Sequence, residues 1–552
     1  MTRTTFSLWA FGALVAYAVA LYFVEIRRPI DYSSYYVTRE CDYGAIARNF
    51  WRGDMDILKP QIDWRRDGPG YTESELPLVP WAMALGYRTL GYHEPIGRVL
   101  ALFASLVGLL VFYRIARLLL PVSQARLALL LYAFSPIVVR FAASIQADPF
   151  MLLAVLLFVY AFLRWLQDGL WRHLLVCGAA GAMAILLKGT ALHLGFLVAG
   201  VTLHRSGWRA MANPRLWLLA AIVLLPPLAW YGYSHGFWLR YGNSLGVTNQ
   251  AHWLGPDLLA RPRLLAHLVY VMLRIEIKTV FCVAGVLLAL IGLWRAADRR
   301  HFLLYWAGAA ALMCVLALRT SSQYWAYYYH AIVIPPACLL MALGSTLGAA
   351  RSVPSALDRG GVSDSRDPGL RRRGSSALHA LRSCGGASAC EPEFDERQGM
   401  PLQFSGLVGM ILTWTTLAIF VVAGSSMVRL DPSHDGEDPA LRPLYQAAAK
   451  FAPLIEKDAL VVAVTWNHVN DETGKPQAHD DPALLFWLDR KGFTMAIEEQ
   501  TEDRLAEFRR RGARYVVCDT SIPFAQTLRS RFRIKDEGAG YLLADVSTPV
   551  AP

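Results

Sequence analysis

The number of long apolar runs constrains this chain more than any other feature. Eleven of them approach or exceed the roughly 20 residues that a helix needs to cross a bilayer. They are 6–24, 95–113, 124–142, 149–167, 173–187, 189–203, 216–233, 267–293, 302–318, 328–349 and 404–427. Composition agrees, since 55% of the 552 residues are hydrophobic and 18% are charged, against about 45–50% and about 25% in soluble domains. The pattern predicts an α-helical polytopic membrane protein with about 11 transmembrane helices.

The arginines between these runs predict the orientation, because cytoplasmic loops retain Lys and Arg. With the N-terminus inside, the short inner loops carry Arg114, Arg117, Arg126, Arg172, Arg205, Arg209, Arg215, Arg295, Arg299 and Arg300. We therefore interpret the net charge of +11 as a topology signal, with the lipid bilayer as partner and no nucleic acid. The predicted location is the cell inner (plasma) membrane, multi-pass, with a cytoplasmic N-terminus.

The polar segments divide the chain into parts. Residues 1–349 form a predicted transmembrane core, interrupted by a charged first outer loop at 25–94. Residues 350–402 are rich in Gly, Ser and Arg and predict a cytoplasmic, disordered loop. The last transmembrane helix covers 403–427. Strand and helix signals alternate across 428–552, which predicts a small extracytoplasmic α/β domain.

Two aspartates stand at predicted outer boundaries of the spans. Asp42 precedes a helical spacing of Ile46 and Phe50, and Asp148 precedes Pro149. Both positions suit an ordinary helix N-cap, and Pro suits the first helical position. The functional alternative is a carboxylate that faces a site at the lipid boundary and takes a proton from an attacking hydroxyl. Spacing alone leaves both interpretations open.

Lys188 lies in an apolar context, where a charge is expensive. It either snorkels to the headgroups or binds a lipid phosphate. Two short spans, 173–187 and 189–203, place it at an outer turn and keep the following arginines inside, whereas one long broken span would not. Further along, Tyr328 fits an interfacial aromatic belt and His330 a satisfied histidine.

These segments, in this order, resemble the GT-C glycosyltransferases that use polyprenyl-phosphate sugars. The nearest resemblance is to the bacterial protein O-mannosyltransferase and lipid A aminoarabinose transferase group. The resembling parts are the Asp42 loop, Pro69 to Leu78, Ala147-Asp148-Pro149, Leu187-Lys188-Gly189 and the Tyr-rich span ending in Pro335-Pro336. The resemblance implies a GT-C fold and transfer of a sugar, with inversion, from a polyprenyl-phosphate sugar donor to an extracytoplasmic acceptor (lipid, glycan or protein).

The resemblance also implies roles for particular residues. Asp42 would be the catalytic general base, and Asp148 the second acidic position that orients acceptor or sugar. Lys188 and Arg48 would bind the donor phosphate. The implied substrate-binding residues are Glu40, Glu73, Glu75, Tyr71, Tyr328 and His330.

Two departures from the family pattern limit this transfer of roles. The family often has an Asp-Glu pair in the first loop, whereas this chain has Glu40-Cys41-Asp42, so Glu40 is a rival base. The aminoarabinose branch has Lys-Pro-Pro-Leu where this chain has Glu75-Leu76-Pro77-Leu78, so that branch's acceptor is not inherited. No cofactor is assigned, although a divalent cation shared by Asp42 and Asp148 stays open. The alternative function is a polytopic transporter or lipid flippase.

Overall fold

A computed structural model describes residues 3–32, 36–246, 252–299, 301–345, 401–427, 441–470, 475–476 and 481–549. The predicted cytoplasmic loop 350–402 lies outside the described residues, except that residues 401–402 open the last apolar helix. The predicted orientation of the chain in the membrane stays a prediction.

Helices make up almost all regular structure before residue 427. In chain order they are α1 (Arg3–Val24), α2 (Val37–Arg52), α3 (Leu78–Leu90), α4 (Pro95–Leu119), α5 (Val122–Ala133), α6 (Pro136–Phe141), α7 (Asp148–Asp168), α8 (Trp171–Leu187), α9 (His193–Ser206), α10 (Pro214–Tyr241), α11 (Pro256–Leu259), α12 (Pro262–Glu276), α13 (Cys282–Arg299), α14 (His301–Leu316), α15 (Leu318–Ser321), α16 (Ile334–Gly344) and α17 (Pro401–Ser426).

Within the described residues, six helical segments are long and apolar enough to cross a membrane, and a bent pair at Ala326–Ile332 and Ile334–Gly344 makes up to seven. Three shorter apolar helices, α5, α8 and α14, account for most of the remaining predicted runs. The polytopic helical class is therefore confirmed. The observed helices differ from the eleven predicted spans mainly because several of the predicted spans are broken into two helices.

The breaks follow from local backbone chemistry. The predicted run 124–142 divides at Ser135, because the residue before a proline avoids the α conformation and Pro136 then opens α6. At the end of α8, Lys188 adopts an extended backbone with φ −165° and ψ 129°. A short 3₁₀ turn, Gly189–Leu192, then leads into α9. The predicted pair of short helices is confirmed, with Lys188 at the joint.

The C-terminal part is a small α/β layer, as predicted. Its helices and strands are α18 (Leu441–Phe451), β1 (Leu460–Val464), β2 (Val469–Asn470), β3 (Lys475–Pro476), α19 (Asp481–Leu488), β4 (Gly492–Thr494), α20 (Glu502–Arg510), β5 (Ala513–Asp519), α21 (Phe524–Arg531), β6 (Arg533–Gly538) and β7 (Tyr541–Asp545). The main sheet has the order β4-β1-β5-β7-β6. Strand β1 runs parallel to β4 and β5, and β7 runs antiparallel to β5 and β6.

The first loop completes this sheet at its β4 edge. The Gly492 N–H donates to the Asp63 carbonyl at 3.0 Å, and the Arg65 N–H donates to the Gly492 carbonyl at 2.7 Å. A short segment around Trp64 thus pairs with β4 in a parallel sense. The C-terminal layer and the first loop consequently form one hydrogen-bonded unit.

Helix α2 packs directly on α19 of that layer. Gly44 leaves so little space that an added Cβ would lie 2.8 Å from the Phe486 ring. Arg48 donates to the Phe486 carbonyl at 3.0 Å, and Arg52 pairs with Asp489 at 2.8 Å. Glycine at position 44 therefore sets the distance between the two helices.

Replacing Gly44 with leucine will force α2 and α19 apart. Overpacking of this kind costs about 1–3 kcal/mol, which exceeds the gain of under about 1 kcal/mol in helix propensity. We expect a lower unfolding temperature in detergent and faster proteolysis of the C-terminal layer. Gly12→Leu is the matched control, because nothing lies within 4 Å of a Cβ there. An unfolding temperature for Gly44→Leu equal to that of Gly12→Leu would contradict the packing argument.

Candidate active site

Asp42 lies in the second turn of α2, which begins at Val37. The alternative in which Asp42 caps this helix is therefore wrong, because Tyr36 holds the N-cap position. Asp42 is buried, with only 8% of the residue exposed. Its Oδ1 atom has no hydrogen-bond partner among the described residues. A buried carboxylate oxygen left open in this way is available to accept a proton from a substrate.

The surroundings of Asp42 make it a stronger base than an exposed aspartate. Burial raises the pKa of its carboxyl to about 7. Arg39, one helical turn earlier, acts in the opposite direction, while the negative charges of Glu75 and Asp63 add to the increase. A pKa near neutrality suits a general base at physiological pH.

Arg39 and Glu75 form an ion pair beside Asp42. The Arg39 guanidinium donates to Glu75 Oε1 at 3.1 Å and to the Leu245 carbonyl at 3.4 Å. The sequence interpretation gave Glu75 to the substrate and did not include Arg39. The missed signal was the separation of three residues from Asp42, which places both side chains on one helix face.

Asp148 and Lys188 form a second, fully buried ion pair. The Lys188 Nζ atom lies 2.6 Å from Asp148 Oδ1, and the two side chains are 9% and 6% exposed. Lys188 therefore does not snorkel to the headgroups. Asp148 is the first residue of α7 and makes no capping hydrogen bond there, so the N-cap alternative is also wrong. The pair joins the start of α7 to the end of α8.

An aromatic wall covers the lysine. Its ammonium lies 4.1 Å from the centre of the Tyr328 ring and 5.0 Å from that of Tyr329. Such cation–π contacts stabilise a desolvated ammonium by about 2 kcal/mol. Tyr36 packs edge-on against Tyr328 at 5.4 Å between ring centres, which brings the beginning of α2 to the same place. The sequence indicated Tyr328 but not Tyr329.

The Arg39–Glu75 pair connects Asp42 with the buried lysine. Arg39 and Glu75 interact electrostatically with Asp42 and also with Lys188. The loop that carries Glu75 is held at the end of α8, because the Leu76 N–H donates to the Leu186 carbonyl at 2.9 Å. Side chains from the first loop, α2, α7 and α8 thus converge in one region.

Glu40, the rival base, has a different environment. Arg98 on α4 donates to both Glu40 oxygens, at 3.1 and 2.9 Å. The Ile145 N–H and the Ser144 hydroxyl also donate to Oε1, at 3.0 and 3.1 Å. With both oxygens engaged, Glu40 attaches α2 to the membrane core, and Asp42 is the carboxylate with an open oxygen.

Arg48 lies at the contact with the C-terminal layer. Its guanidinium is 2.5 Å from Asp63 and 3.0 Å from Asp489, and it stacks on the Phe486 ring. These partners already compensate the positive charge of Arg48, which the resemblance assigned to the donor phosphate. The phosphate role of Arg48 stays a prediction that the geometry does not favour.

Three further predicted substrate residues hold loops in place. Glu73 binds His235 at 2.8 Å and also the Ser244 hydroxyl. Tyr71 stacks on Phe237, at 5.7 Å between ring centres. His330 is fully buried, with Nε2 at 2.9 Å from the Ser321 carbonyl. Their roles in substrate binding stay predictions.

A cation shared by Asp42 and Asp148 does not fit these contacts. The Lys188 ammonium already neutralises Asp148 at 2.6 Å. A metal at the same oxygen would have to displace that lysine into a low-dielectric interior. We therefore assign no metal to this pair.

A narrow apolar cleft leads to Asp148 between three helices. It is lined by Ala104 and Gly108 of α4, Ile137 and Val138 of α6, and Leu152 of α7. The charge in this lining lies at the start of α7, where Asp148 stands. At about 20 Å³ the cleft has room for about one water molecule, far below the roughly 300–1,000 Å³ of a ligand pocket.

Solved structures with the same fold are known. ArnT from Cupriavidus metallidurans, in the apo state, aligns over 98% of both chains with a TM-score of 0.58 and 16% identity. The same protein bound to undecaprenyl phosphate gives a TM-score of 0.56 at 14% identity, again over 98% of both chains. AglB, an oligosaccharyltransferase from Archaeoglobus fulgidus, aligns with a TM-score of 0.52 and 12% identity, over 98% of this chain and 74% of its own.

The fold is therefore that of the GT-C membrane enzymes. The family model described as dolichyl-phosphate-mannose-protein mannosyltransferase matches residues 69–231, which include Asp148 and Lys188. A comparison with curated proteins gave no match. The chain therefore shares the fold of these multi-pass membrane enzymes, and its residues 69–231 resemble a glycosyltransferase family.

The Asp148–Lys188 pair gives a direct test of the site's architecture. Lys188→Met will leave a buried, unpaired carboxylate and destabilise the protein by about 3–5 kcal/mol. The double variant Lys188→Met/Asp148→Leu will recover much of that loss, because no buried charge is left alone. Thermal unfolding in detergent measures both effects. Arg529→Met, which breaks the exposed pair with Glu537, is the control and should change little. A double variant no more stable than Lys188→Met argues against the pair.

Proposed function

We propose that the chain transfers a sugar from a polyprenyl-phosphate carrier to an acceptor outside the cytoplasm, with Asp42 as the general base. The observation that carries this proposal is the open, buried Oδ1 atom of Asp42, in the same region as the buried Lys188 ammonium. A base and a cation near one another match the two charges that develop when a hydroxyl attacks a glycosyl phosphate.

The reaction is a single displacement at the anomeric carbon. The acceptor's O–H gives its proton to Asp42 while its oxygen forms a bond to that carbon. The bond between the anomeric carbon and the phosphate oxygen breaks, and its electron pair stays on the polyprenyl phosphate. Attack from the face opposite the leaving group inverts the anomeric configuration.

Lys188 is placed to stabilise the leaving phosphate. Asp148 accepts a hydrogen bond from the Lys188 ammonium, and tyrosine rings pack against it. The ammonium is therefore held in place, and its positive charge is only partly compensated. A fixed cation in a dry site stabilises developing negative charge without reorganisation. Asp148 then acts as a positioning residue for Lys188.

The carriers bound by similar proteins support a donor of this class. The structural neighbours were solved with undecaprenyl phosphate for ArnT and dolichol-phosphate for AglB. We place the donor phosphate at Lys188, whose ammonium is held by Asp148.

The two ends of the α7–α8 pair support the orientation that we propose. Asp148 and Lys188 lie at one end, and Arg172, the second residue of α8, lies at the other. Because arginine-rich loops stay in the cytoplasm, the ion pair and Asp42 face outward. The acceptor therefore comes from the extracytoplasmic side.

The function is tested with the purified full-length protein and a panel of polyprenyl-phosphate sugars. We expect one sugar class to release free polyprenyl phosphate in the presence of a membrane-extract acceptor. If the folded protein binds polyprenyl phosphate but cleaves none of the donors, the proposal is wrong.

Asp42→Asn will abolish the base while keeping the shape of the side chain. We expect kcat to fall by about 10²–10⁴-fold, with donor binding unchanged because the lysine is intact. Rate and donor affinity are measured separately with the active sugar. The matched control is Asp54→Asn, an exposed carboxylate of the same loop. Wild-type kcat in Asp42→Asn would show that another group takes the proton.

The pH profile reports the same carboxylate. Because the pKa of Asp42 is raised to about 7, kcat/KM should be flat above that pH and fall about tenfold per unit below it. Arg39→Gln removes the positive charge that lowers this pKa, so the acidic limb should move to higher pH. Arg52→Gln, which changes an exposed arginine on the same helix, serves as control. A limb that stays in place in Arg39→Gln assigns it to a different group.

A further inference from the structure

Three potential metal ligands meet away from Asp42 and Lys188. Glu276 is the last residue of α12, Cys314 lies in the last turn of α14, and His330 precedes α16. Their ligand atoms all lie within 4.8 Å of one another, and within the described residues they form the one group of three or more His, Cys, Asp or Glu side chains with this property. Neither the proposed reaction nor the apolar cleft uses them.

The hydrogen bonds of His330 aim its second ring nitrogen at Glu276. Its Nε2 atom donates to the Ser321 carbonyl at 2.9 Å, because that oxygen can only accept. Its Nδ1 atom lies 3.2 Å from Glu276 Oε1. A positive charge between these two atoms, either a proton or a metal ion, makes the contact attractive. A backbone carbonyl on the far nitrogen is also the usual arrangement for a metal-binding histidine.

The ligand types favour zinc. A thiolate, an imidazole and a carboxylate are the donors that Zn²⁺ takes in proteins, at about 2.0–2.3 Å. The two negative ligands balance the dication, which reduces the cost of burying charge. His330 is fully buried and Cys314 is 2% exposed, while the Glu276 side chain is 13% exposed. The last value leaves an entry path beside the carboxylate.

We propose that Glu276, Cys314 and His330 bind one Zn²⁺ ion, with water in the fourth position. Binding forms Zn–O, Zn–S and Zn–N bonds and releases the Cys314 thiol proton to solvent. The backbone supports the site, because a π-helical turn, Ile277–Phe281, begins directly after Glu276. Single π turns of this kind occur often at functional sites.

The ion would join three elements of the fold. It links the end of α12, the end of α14 and the segment Tyr324–Ile332. That segment carries Tyr328 and Tyr329, the rings that cover Lys188. The zinc would thus hold this segment in place and, with it, the aromatic wall.

Metal analysis of the tag-free, full-length protein tests the site without any assay of transfer. We expect about one zinc per chain, retained through dialysis. Cys314→Ser and His330→Gln should each bind zinc at least about 10-fold more weakly. Cys338→Ser, at another fully buried cysteine, is the matched control and should keep the metal.

Cobalt gives a second readout that depends on the thiolate. Exchange of the wild-type protein into Co²⁺ should produce a sulfur-to-cobalt charge-transfer band, absent in Cys314→Ser and present in Cys338→Ser. In case Cys314→Ser fails to fold, the chelated wild-type protein is titrated with ZnCl₂ alone, and its unfolding temperature should rise. A wild-type protein that neither contains nor takes up zinc overturns the proposal and leaves the contact between His330 and Glu276 without a metal. Full zinc content in a folded Cys314→Ser also overturns it.

Discussion

A charged pair sealed in an apolar bundle is the interaction on which the site depends. Asp148 and Lys188 are each too costly to bury alone, and together they fix the start of α7 against the end of α8. The extended backbone at Lys188 exists because this contact and the following turn require α8 to stop. The tyrosines of the segment before α16 then close over the ammonium. The dryness of the region follows from this one contact, and the anion binding that we propose for Lys188 depends on it.

Helix α2 explains how a surface loop brings a carboxylate to that place. Glu40 attaches its first half to Arg98 of the membrane core, while Gly44 and Arg48 attach its second half to the C-terminal layer. Asp42 lies between the two attachments and makes neither. Neighbouring elements hold the helix at both ends, and Asp42 in its middle keeps one oxygen without a hydrogen-bond partner among the described residues.

The sequence predicted the parts of this arrangement that depend on local chemistry. Apolar length gave the helical class, and the cost of charge in hydrocarbon marked Lys188. It did not predict which side chains pair, because Glu40 differs from Asp42 through distant partners: Arg98, 58 positions away, and the Ser144–Ile145 segment. Nor did it predict that α2 begins at Val37, so that Asp42 lies inside the helix and not at its N-cap. Long-range pairing decides these points, and no local pattern records it.

The hydrogen bonds between the Trp64 segment and Gly492 have a consequence for biosynthesis. The segment leaves the ribosome more than 400 residues before its partner strand, which at about 5–20 residues per second means tens of seconds. During that interval the Asp63 carbonyl and the Arg65 N–H lack their β4 partners, and α2 lacks α19. The first loop therefore reaches its final shape only after α19 and β4 have been synthesised.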